Sequence, residues 1–332
     1  MMLSMETTTI AGVEVSRIGL GTWAIGGLDW GAIPEEVAIA TCLSAVERGI
    51  NLIDTAPIYG HGRSEEIVGK AIRAHGRREA FYIATKVGLE WNERGVFANL
   101  TAARMRKELE ESLRRLGTEY IDLYQVHWPD TLVPVSAVAA LLAEFQREGK
   151  VRALGVSNFS VAQMEEFRAV ISLASNQPPY NLFEREIDGE ILPWCAANGV
   201  AILTWSTLCR SLLGGRIARG MSFDAKDIRR VDPKFQEPRF SQYMTAVERL
   251  AAFARERYGK SVLELAARWV LDRPGVSVAL WGAKRPEQLD AVAGVLGWKL
   301  DANALAEIDR IVAESVTGPV GPEYLTPSVR EG

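Results

Sequence analysis

The stretch that decides the fold is residues 121–157, which read IDLYQVHWPDTLVPVSAVAALLAEFQREGKVRALGVS. Ile121–His127 and Val151–Ser157 are short runs rich in apolar and β-branched residues, a pattern that predicts buried strands. Between them, Val135–Glu148 has apolar residues at helical spacing. A strand, a helix and a second strand in this order predict a βαβ unit, whose two strands run parallel.

The same alternation extends over most of the chain on both sides of this unit. Further strands are predicted at Ile18–Gly21, Asn51–Asp54, Phe81–Lys86, Ala174–Gln177, Ala201–Trp205 and Val278–Trp281, each followed by a predicted helix. Eight such units predict a closed (β/α)₈ (TIM) barrel, an α/β fold, because an open sheet of eight strands would expose two edges. We therefore expect one barrel domain over residues 1–332. The alternation of strands and helices is interrupted by a long irregular segment, 206–240, and it ends before an expected surface tail, 314–332.

Composition excludes several classes of function. The 332 residues carry a net charge of −4, so the molecule has no positive field to attract nucleic acid or an anionic membrane. The first ten residues lack a signal-peptide pattern, which together with three unpaired cysteines predicts a cytoplasmic protein. The three histidines are too scattered to predict a metal site.

Polar residues stand at the ends of three predicted strands. Asp54, Lys86 and His127 each close an apolar run, and Tyr59 follows Asp54 by five residues on the adjoining loop. In a parallel barrel these positions meet at the carboxyl end of the strands, where active sites are built. We therefore expect these four side chains to lie together.

Their chemistry is typical of proton transfer to a carbonyl oxygen. A buried Lys86 is expected to pair with Asp54, because either charge alone would be costly in a low dielectric. The ammonium is also expected to lower the pKa of the Tyr59 phenol and so fit it for general acid catalysis. His127 is placed to donate a hydrogen bond that polarises the carbonyl. The predicted reaction is carbonyl reduction, with Tyr59 as the acid.

These residues and their surroundings resemble the aldo-keto reductase family. Three motifs carry the resemblance, and they occur in family order: GLGTW at 19–23, DTAPIYGHGRSEE at 54–66 and LGVSNF at 154–159. The likeness extends from about residue 12 to about residue 312. It implies a catalytic tetrad of Asp54, Tyr59, Lys86 and His127, and a nicotinamide cofactor.

The resemblance also implies which residues hold the cofactor. Ser157, Asn158 and Gln177 would bind the nicotinamide carboxamide, and Trp205 would stack on the ring. The 206–240 segment would strap the pyrophosphate, and Lys284 and Arg285 would neutralise a 2′-phosphate, which favours NADP(H) over NAD(H). The full implied set is Gly21, Thr22, Trp23, Asp54, Ser157, Asn158, Gln177, Trp205, Ser206, Leu208, Arg210, Leu212, Gly214, Gly282, Ala283, Lys284, Arg285 and Gln288. Ala291 and Val292 depart from the family, which often has an acid and an amide there.

Three tryptophans, Trp23, Trp91 and Trp128, are candidates for the wall of the substrate pocket. Gly88 and the 92–95 turn indicate that Trp91 lies on a mobile loop. The expected partner is a small-molecule carbonyl compound or its alcohol, with hydroxylated or sugar-derived aldehydes favoured.

Two alternatives compete with this interpretation. The chain could be a non-catalytic cofactor-binding subunit of the same fold. It could also be a barrel isomerase or aldolase in which Lys86 acts as a base or forms a Schiff base.

Overall fold

A computed structural model describes residues 4–330. Residues 1–3 and 331–332, which belong to the predicted 1–332 domain and to the predicted tail, lie outside the described residues.

Eight parallel strands form a closed barrel, as the alternating pattern predicted. The barrel closes because the eighth strand pairs with the first, in the register Ala279 to Ile18 through Gly282 to Gly21. In chain order the strands are β1 (Ile18–Gly21), β2 (Leu52–Asp54), β3 (Tyr82–Val87), β4 (Ile121–Val126), β5 (Val151–Ser157), β6 (Ser175–Gln177), β7 (Ala201–Thr204) and β8 (Val276–Gly282).

Helices cover the outside of the barrel and bury its apolar outer face. Local signals fix several helix ends: Ser261 caps its helix in a capping box with Glu264, and Gly117 ends another in a left-handed conformation. The outer helices are Glu35–Glu47, Arg63–His75, Ala102–Leu116, Val135–Arg147, Val161–Arg168, Ile191–Asn198, Arg239–Tyr258, Val262–Asp272 and Ala302–Ser315, with a 3₁₀ helix at Pro286–Val295.

A hairpin that the sequence analysis did not predict closes the amino end of the barrel. Its strands, Thr7–Ile10 and Val13–Ser16, pair antiparallel. Ile10 and Val15 are buried in one cluster with inward-facing barrel residues such as Leu123. This packing fills the floor of the barrel, which leaves the carboxyl end for a binding site.

The segment that carries Trp91 forms a second hairpin, where the sequence predicted a loop without regular structure. Leu89–Asn92 pairs antiparallel with Gly95–Ala98. Gly95, directly after the turn, has a φ of +127°, which favours glycine. The segment predicted to be a surface tail, 314–332, includes a short exposed strand. Ser328–Val329 adds a third strand to this hairpin, and the ion pair between Arg330 and Asp130 fixes its end.

The long irregular segment contains only short 3₁₀ turns, and it ends earlier than predicted because a helix begins at Arg239. We call residues 206–238 the strap. The main-chain N–H of Ile228 donates to the oxygen of Asp29 at 3.1 Å, so the strap reaches across to the loop after β1.

Two further properties concern the whole chain. The three cysteines, Cys42, Cys195 and Cys209, are free thiols and all are buried. Within residues 4–330, no helix combines the length and the apolar character needed to cross a membrane.

Candidate active site

A buried ion pair forms the base of the site. Lys86 lies near the end of β3 and Asp54 is the last residue of β2, so the barrel register brings both to the carboxyl end. Lys86 Nζ donates to Asp54 Oδ1 at 2.7 Å, and the two side chains are 1% and 3% exposed. The predicted pairing of these two charges is therefore observed.

Tyr59 completes the contact from the loop after β2. Lys86 Nζ donates to the Tyr59 hydroxyl oxygen at 3.1 Å and to the main-chain oxygen of Thr55 at the same distance. A close backbone crossing holds this loop in place. A Cβ atom on Gly26 would lie 2.6 Å from the main-chain carbon of Tyr59, so only glycine fits there.

His127 follows β4 and is also buried. Its main-chain N–H donates to the oxygen of Val87 at 2.9 Å. The imidazole lies edge-on to Tyr59, with ring centroids 5.8 Å apart and ring planes at 84°. The structure therefore brings all four predicted residues into one group.

The electrostatics of this group differ from the sequence-based expectation in one respect. Burial raises the pKa of Tyr59, and it outweighs the opposite effect of Lys86, so the expected net lowering is wrong. Burial by itself would lower the pKa of Lys86, but Asp54 and Tyr59 raise it above its ordinary value. Burial and the nearby Lys86 charge hold the pKa of His127 well below its ordinary value. At neutral pH the group therefore contains a protonated phenol, a charged ammonium and a neutral imidazole.

A cavity of about 360 Å³ opens above these residues. Two of the three candidate pocket tryptophans, Trp23 and Trp128, line it together with Ile58 and Leu89. Trp91 is not among the lining residues. Its ring instead stacks on His61, with centroids 4.5 Å apart, and it is His61 that reaches the cavity.

Amide, hydroxyl and indole groups gather on another part of the cavity wall, at the ends of β5 to β7. Gln177 Nε2 donates to Asp54 Oδ2 at 2.8 Å, and Ser157 Oγ donates to the main-chain oxygen of Gln177 at 2.6 Å. Asn158 Nδ2 donates to the main-chain oxygen of His127 at 3.0 Å, and Asn158 Oδ1 accepts from Trp205 Nε1 at 3.1 Å. Asn158 Nδ2 also donates to Ser157 Oγ at 3.0 Å, so these four residues form one network that continues from the Lys86 pair.

Only part of the predicted strap set lines the cavity, and Thr207, Ser211 and Ile228, which were not predicted, line it as well. Ser206, Leu208 and Arg210 line it, whereas Leu212 is fully buried and Gly214 lies away from it. The Arg210 guanidinium forms ion pairs with two buried carboxylates, Glu184 and Asp232. The backbone has positive φ at Ser206, Cys209, Arg210 and Ser211, which is costly for residues other than glycine and is common at binding sites.

The residues predicted for the adenosine end lie mostly outside the cavity. Gly282 lines it, but Ala283 is buried, and Gln288 Oε1 accepts from the main-chain N–H groups of Lys284 and Arg285 at 2.7 and 3.0 Å. Lys284 Nζ donates to the main-chain oxygen of Trp30. Burial, reinforced by Arg229, lowers the pKa of Lys284. Of the residues predicted at the end of β1 and just after it, Gly21 and Trp23 line the cavity.

Thr22 is fully buried and faces away from it. Its hydroxyl donates to the main-chain oxygen of Asp54 at 2.8 Å and accepts from Ser64 Oγ at 2.7 Å. The Thr22 side chain thus supports the strand ends from below.

Several lining residues were missed by the sequence analysis. The loops and short turns, whose paths have no periodic signal, contribute Leu28, Asp29, Trp30, His61, Ile228 and Leu325, and the 89–98 hairpin contributes Val96. His61 stands inside the 54–66 motif, so its position beside Tyr59 was a signal that could have found it.

Comparison with known proteins identifies the same family that the sequence motifs resemble. The model of the aldo/keto reductase family matches residues 17–313. The chain belongs to this family. As an aldo/keto reductase it is an oxidoreductase, and its (β/α)₈ barrel is the fold of its structural neighbours.

Two curated relatives span nearly the whole chain. An aldo-keto reductase of Bacillus subtilis (strain 168) is 51% identical over 98% of this chain and 99% of its own length. A protein of Escherichia coli (strain K12) named as an NADH-specific methylglyoxal reductase is 34% identical over 92% of this chain and 96% of its own.

Two solved aldo/keto reductase folds are also similar. A glycerol dehydrogenase from Gluconobacter oxydans superposes with a TM-score of 0.87 at 45% identity, over 96% of this chain and 99% of the other. A Klebsiella pneumoniae aldo/keto reductase in complex with NADP and acetate has a TM-score of 0.72 at 29% identity, over 93% and 95%.

Proposed function

We propose that this aldo/keto reductase uses NADP(H) to reduce the carbonyl group of a small aldehyde or ketone to an alcohol, with Tyr59 as the general acid. One observation carries the proposal: Tyr59 Oη lies 3.1 Å from Lys86 Nζ, which is itself 2.7 Å from Asp54 Oδ1, beneath a largely apolar cavity. A phenol in this position holds its proton until a carbonyl oxygen arrives, and then it has an adjacent cation to stabilise the phenolate left behind.

Each residue of the group has a distinct part in that transfer. Tyr59 gives its hydroxyl proton to the carbonyl oxygen. Lys86 stabilises the resulting phenolate, and Asp54 keeps the buried ammonium charged. His127, neutral because its pKa is depressed, donates from a ring N–H to the same oxygen and fixes its position.

The wall formed by the ends of β5 to β7 fits a nicotinamide. A carboxamide needs both donors and acceptors, which the Asn158 and Gln177 amides and the Ser157 hydroxyl provide, and the indole of Trp205 offers a flat face. Bound there, the cofactor would supply or accept the hydride at the carbonyl carbon. The solved relative with NADP supports this choice.

The preference for NADP(H) over NAD(H) is a separate and more specific part of the proposal. Lys284 and Arg285 follow the end of β8 and are the cations proposed to neutralise a 2′-phosphate. Because one relative is named as NADH-specific, the test compares both cofactors directly. We expect kcat/KM with NADPH to exceed that with NADH, and the reverse order would contradict this part alone.

Replacing Tyr59 by Phe tests the proposed acid. The variant should bind NADPH as the wild type does, because the cofactor contacts lie elsewhere, but kcat should fall by a factor of about 10² to 10⁴. Cofactor binding is measured by fluorescence titration, and turnover by loss of NADPH absorbance over a panel of aldehydes.

A Tyr59→Phe variant that retains most of its activity would contradict the assigned role. Wild-type protein that binds NADPH and turns over none of the panel would favour a non-catalytic subunit. Borohydride trapping of substrate on Lys86, without NADPH consumption, would favour the aldolase alternative.

A further inference from the structure

The cavity wall contains a carboxylate close to the proposed proton donor. Asp29 lies on the loop after β1, and its Oδ2 accepts from Trp23 Nε1 at 3.0 Å. The Trp23 ring is in turn nearly parallel to the Tyr59 ring, at 24°, with centroids 6.1 Å apart. One indole therefore separates this carboxylate from the phenol.

The Asp29 carboxylate has a fixed position. The main-chain oxygen of Asp29 accepts from the N–H of Ile228 in the strap at 3.1 Å. On the other side, Trp23 holds the side chain and packs edge-on against Trp30, with centroids 5.5 Å apart. These contacts hold the Asp29 carboxylate on the cavity wall.

Asp29 is also the lining carboxylate whose charge is not balanced. Asp54 is paired with Lys86, and Arg210 is paired with Glu184 and Asp232, so these lining charges are neutralised. Among residues 4–330, Asp29 has no Lys, Arg or His nitrogen within the 4.0 Å that defines an ion pair. The cations beside the adjacent Trp30 have other partners: Lys284 Nζ donates to the main-chain oxygen of Trp30, and Arg229, which lies 5.5 Å from the Trp30 ring, pairs with Asp227.

We propose that Asp29 is a specificity-determining residue that makes the pocket select uncharged carbonyl compounds over those that carry a carboxylate or phosphate. This inference rests on the proposed carbonyl reduction. A second anion in a partly desolvated cavity is repelled more strongly than it would be in bulk water. A neutral hydroxylated group can instead donate a hydrogen bond to Asp29 Oδ1.

Asp29→Asn provides the test, because the amide oxygen can still accept from Trp23 Nε1 while the charge is lost. The probes are 4-formylbenzoate and 4-formylbenzamide, which have similar shapes and differ in charge. We expect the wild type to prefer the amide, and the variant to reduce that preference in kcat/KM by about tenfold. Glu36→Gln, which removes one charge from an exposed position of an outer helix, should leave the preference unchanged.

A second measurement needs no variant. Raising the salt concentration from about 0.01 M to about 1 M shortens the screening length from roughly 30 Å to roughly 3 Å, so the wild-type preference should decrease. The Asp29→Asn protein should show a smaller salt dependence.

The possible results separate the inference from the proposed function. An equal loss of activity on both aldehydes in Asp29→Asn would mean that Asp29 only supports Trp23, and would overturn the inference. The same holds if the wild type reduces the benzoate as fast as the benzamide at low salt. A wild type that reduces neither aldehyde nor any other carbonyl compound would overturn the proposed function and the inference together.

Discussion

Burial controls the chemistry of the single residues in this site. Lys86 is 1% exposed and depends on Asp54 for a counterion, since its own burial disfavours the charged form. Asp54→Asn should therefore destabilise the protein by about 3–5 kcal/mol, the usual result of leaving one member of a buried pair. Urea denaturation measures this loss, and NADPH-linked aldehyde reduction should fall with it.

The control is Asp290→Asn, which removes the partner of Arg48 in an exposed pair with 64% exposure of the Asp290 side chain. Its cost should stay below about 1 kcal/mol. If both substitutions lower the free energy of unfolding by the same amount, the burial of the Asp54–Lys86 pair does not make it more important for stability than an exposed pair.

Sequence reasoning found the four residues because strand ends in a parallel barrel must converge. It misjudged the pKa of Tyr59, since the depth of burial depends on loops that fold over the site and not on the strand pattern. It also missed Asp29 for the same reason. The loop positions on the cavity wall are set by tertiary packing, which no local periodicity encodes.

At the scale of elements, one contact positions the loop that carries Tyr59. Gly26 ends a single helical turn, Trp23–Gly26, and its Cα faces the Tyr59–Gly60 peptide. Gly26→Ala would place a methyl group 2.6 Å from the Tyr59 carbonyl carbon, so that loop must shift. A displacement of about 1 Å can cost a factor of about 100 in rate, and we expect a loss of that order in kcat.

Gly189→Ala is the matched control, because a Cβ there meets nothing within 4 Å and the backbone φ is −72°. The Gly26→Ala protein should remain folded by circular dichroism. Unchanged kcat in this variant would show that the crossing does not position Tyr59.

At the scale of the whole molecule, the free energy of unfolding at acidic pH should depend on His127. An unfolded histidine has a pKa near 6.5, whereas burial and Lys86 hold the folded pKa well below that value. Below about pH 6.5 the unfolded chain therefore binds a proton that the folded protein excludes. The free energy of unfolding should fall as pH falls, with a slope of at most about 1.4 kcal/mol per pH unit from this group.

His127→Gln should remove this slope. Urea midpoints of wild type and variant at several pH values between about 5 and 7 measure the difference. The comparison is necessary because other groups also titrate: burial raises the pKa of Glu108 to about 7, which acts in the opposite direction. Parallel curves for the two proteins would contradict the assignment of a neutral His127.

The barrel as a whole could be predicted from the sequence, because eight repeats of a strand and a helix allow few other closed arrangements. The hairpin at the barrel floor, the hairpin at 89–98 and the strand Ser328–Val329 could not. None of their strands is longer than four residues, and their positions depend on distant parts of the chain: Ile10 and Val15 pack on residues inside the barrel, and Ser328–Val329 pairs with the 89–98 hairpin. The organisation as one domain and the cytoplasmic location stay predictions.

The burial of Cys42, Cys195 and Cys209 has a practical consequence for following this enzyme in solution. Burial raises the pKa of the Cys42 thiol to about 12, and it raises the pKa of the other two thiols as well, so none offers a reactive thiolate near neutral pH. A cysteine introduced at an exposed position such as Val96, on the rim of the cavity, would then take up a maleimide dye selectively. A fluorophore attached there could report ligand entry in real time without removal of any native cysteine.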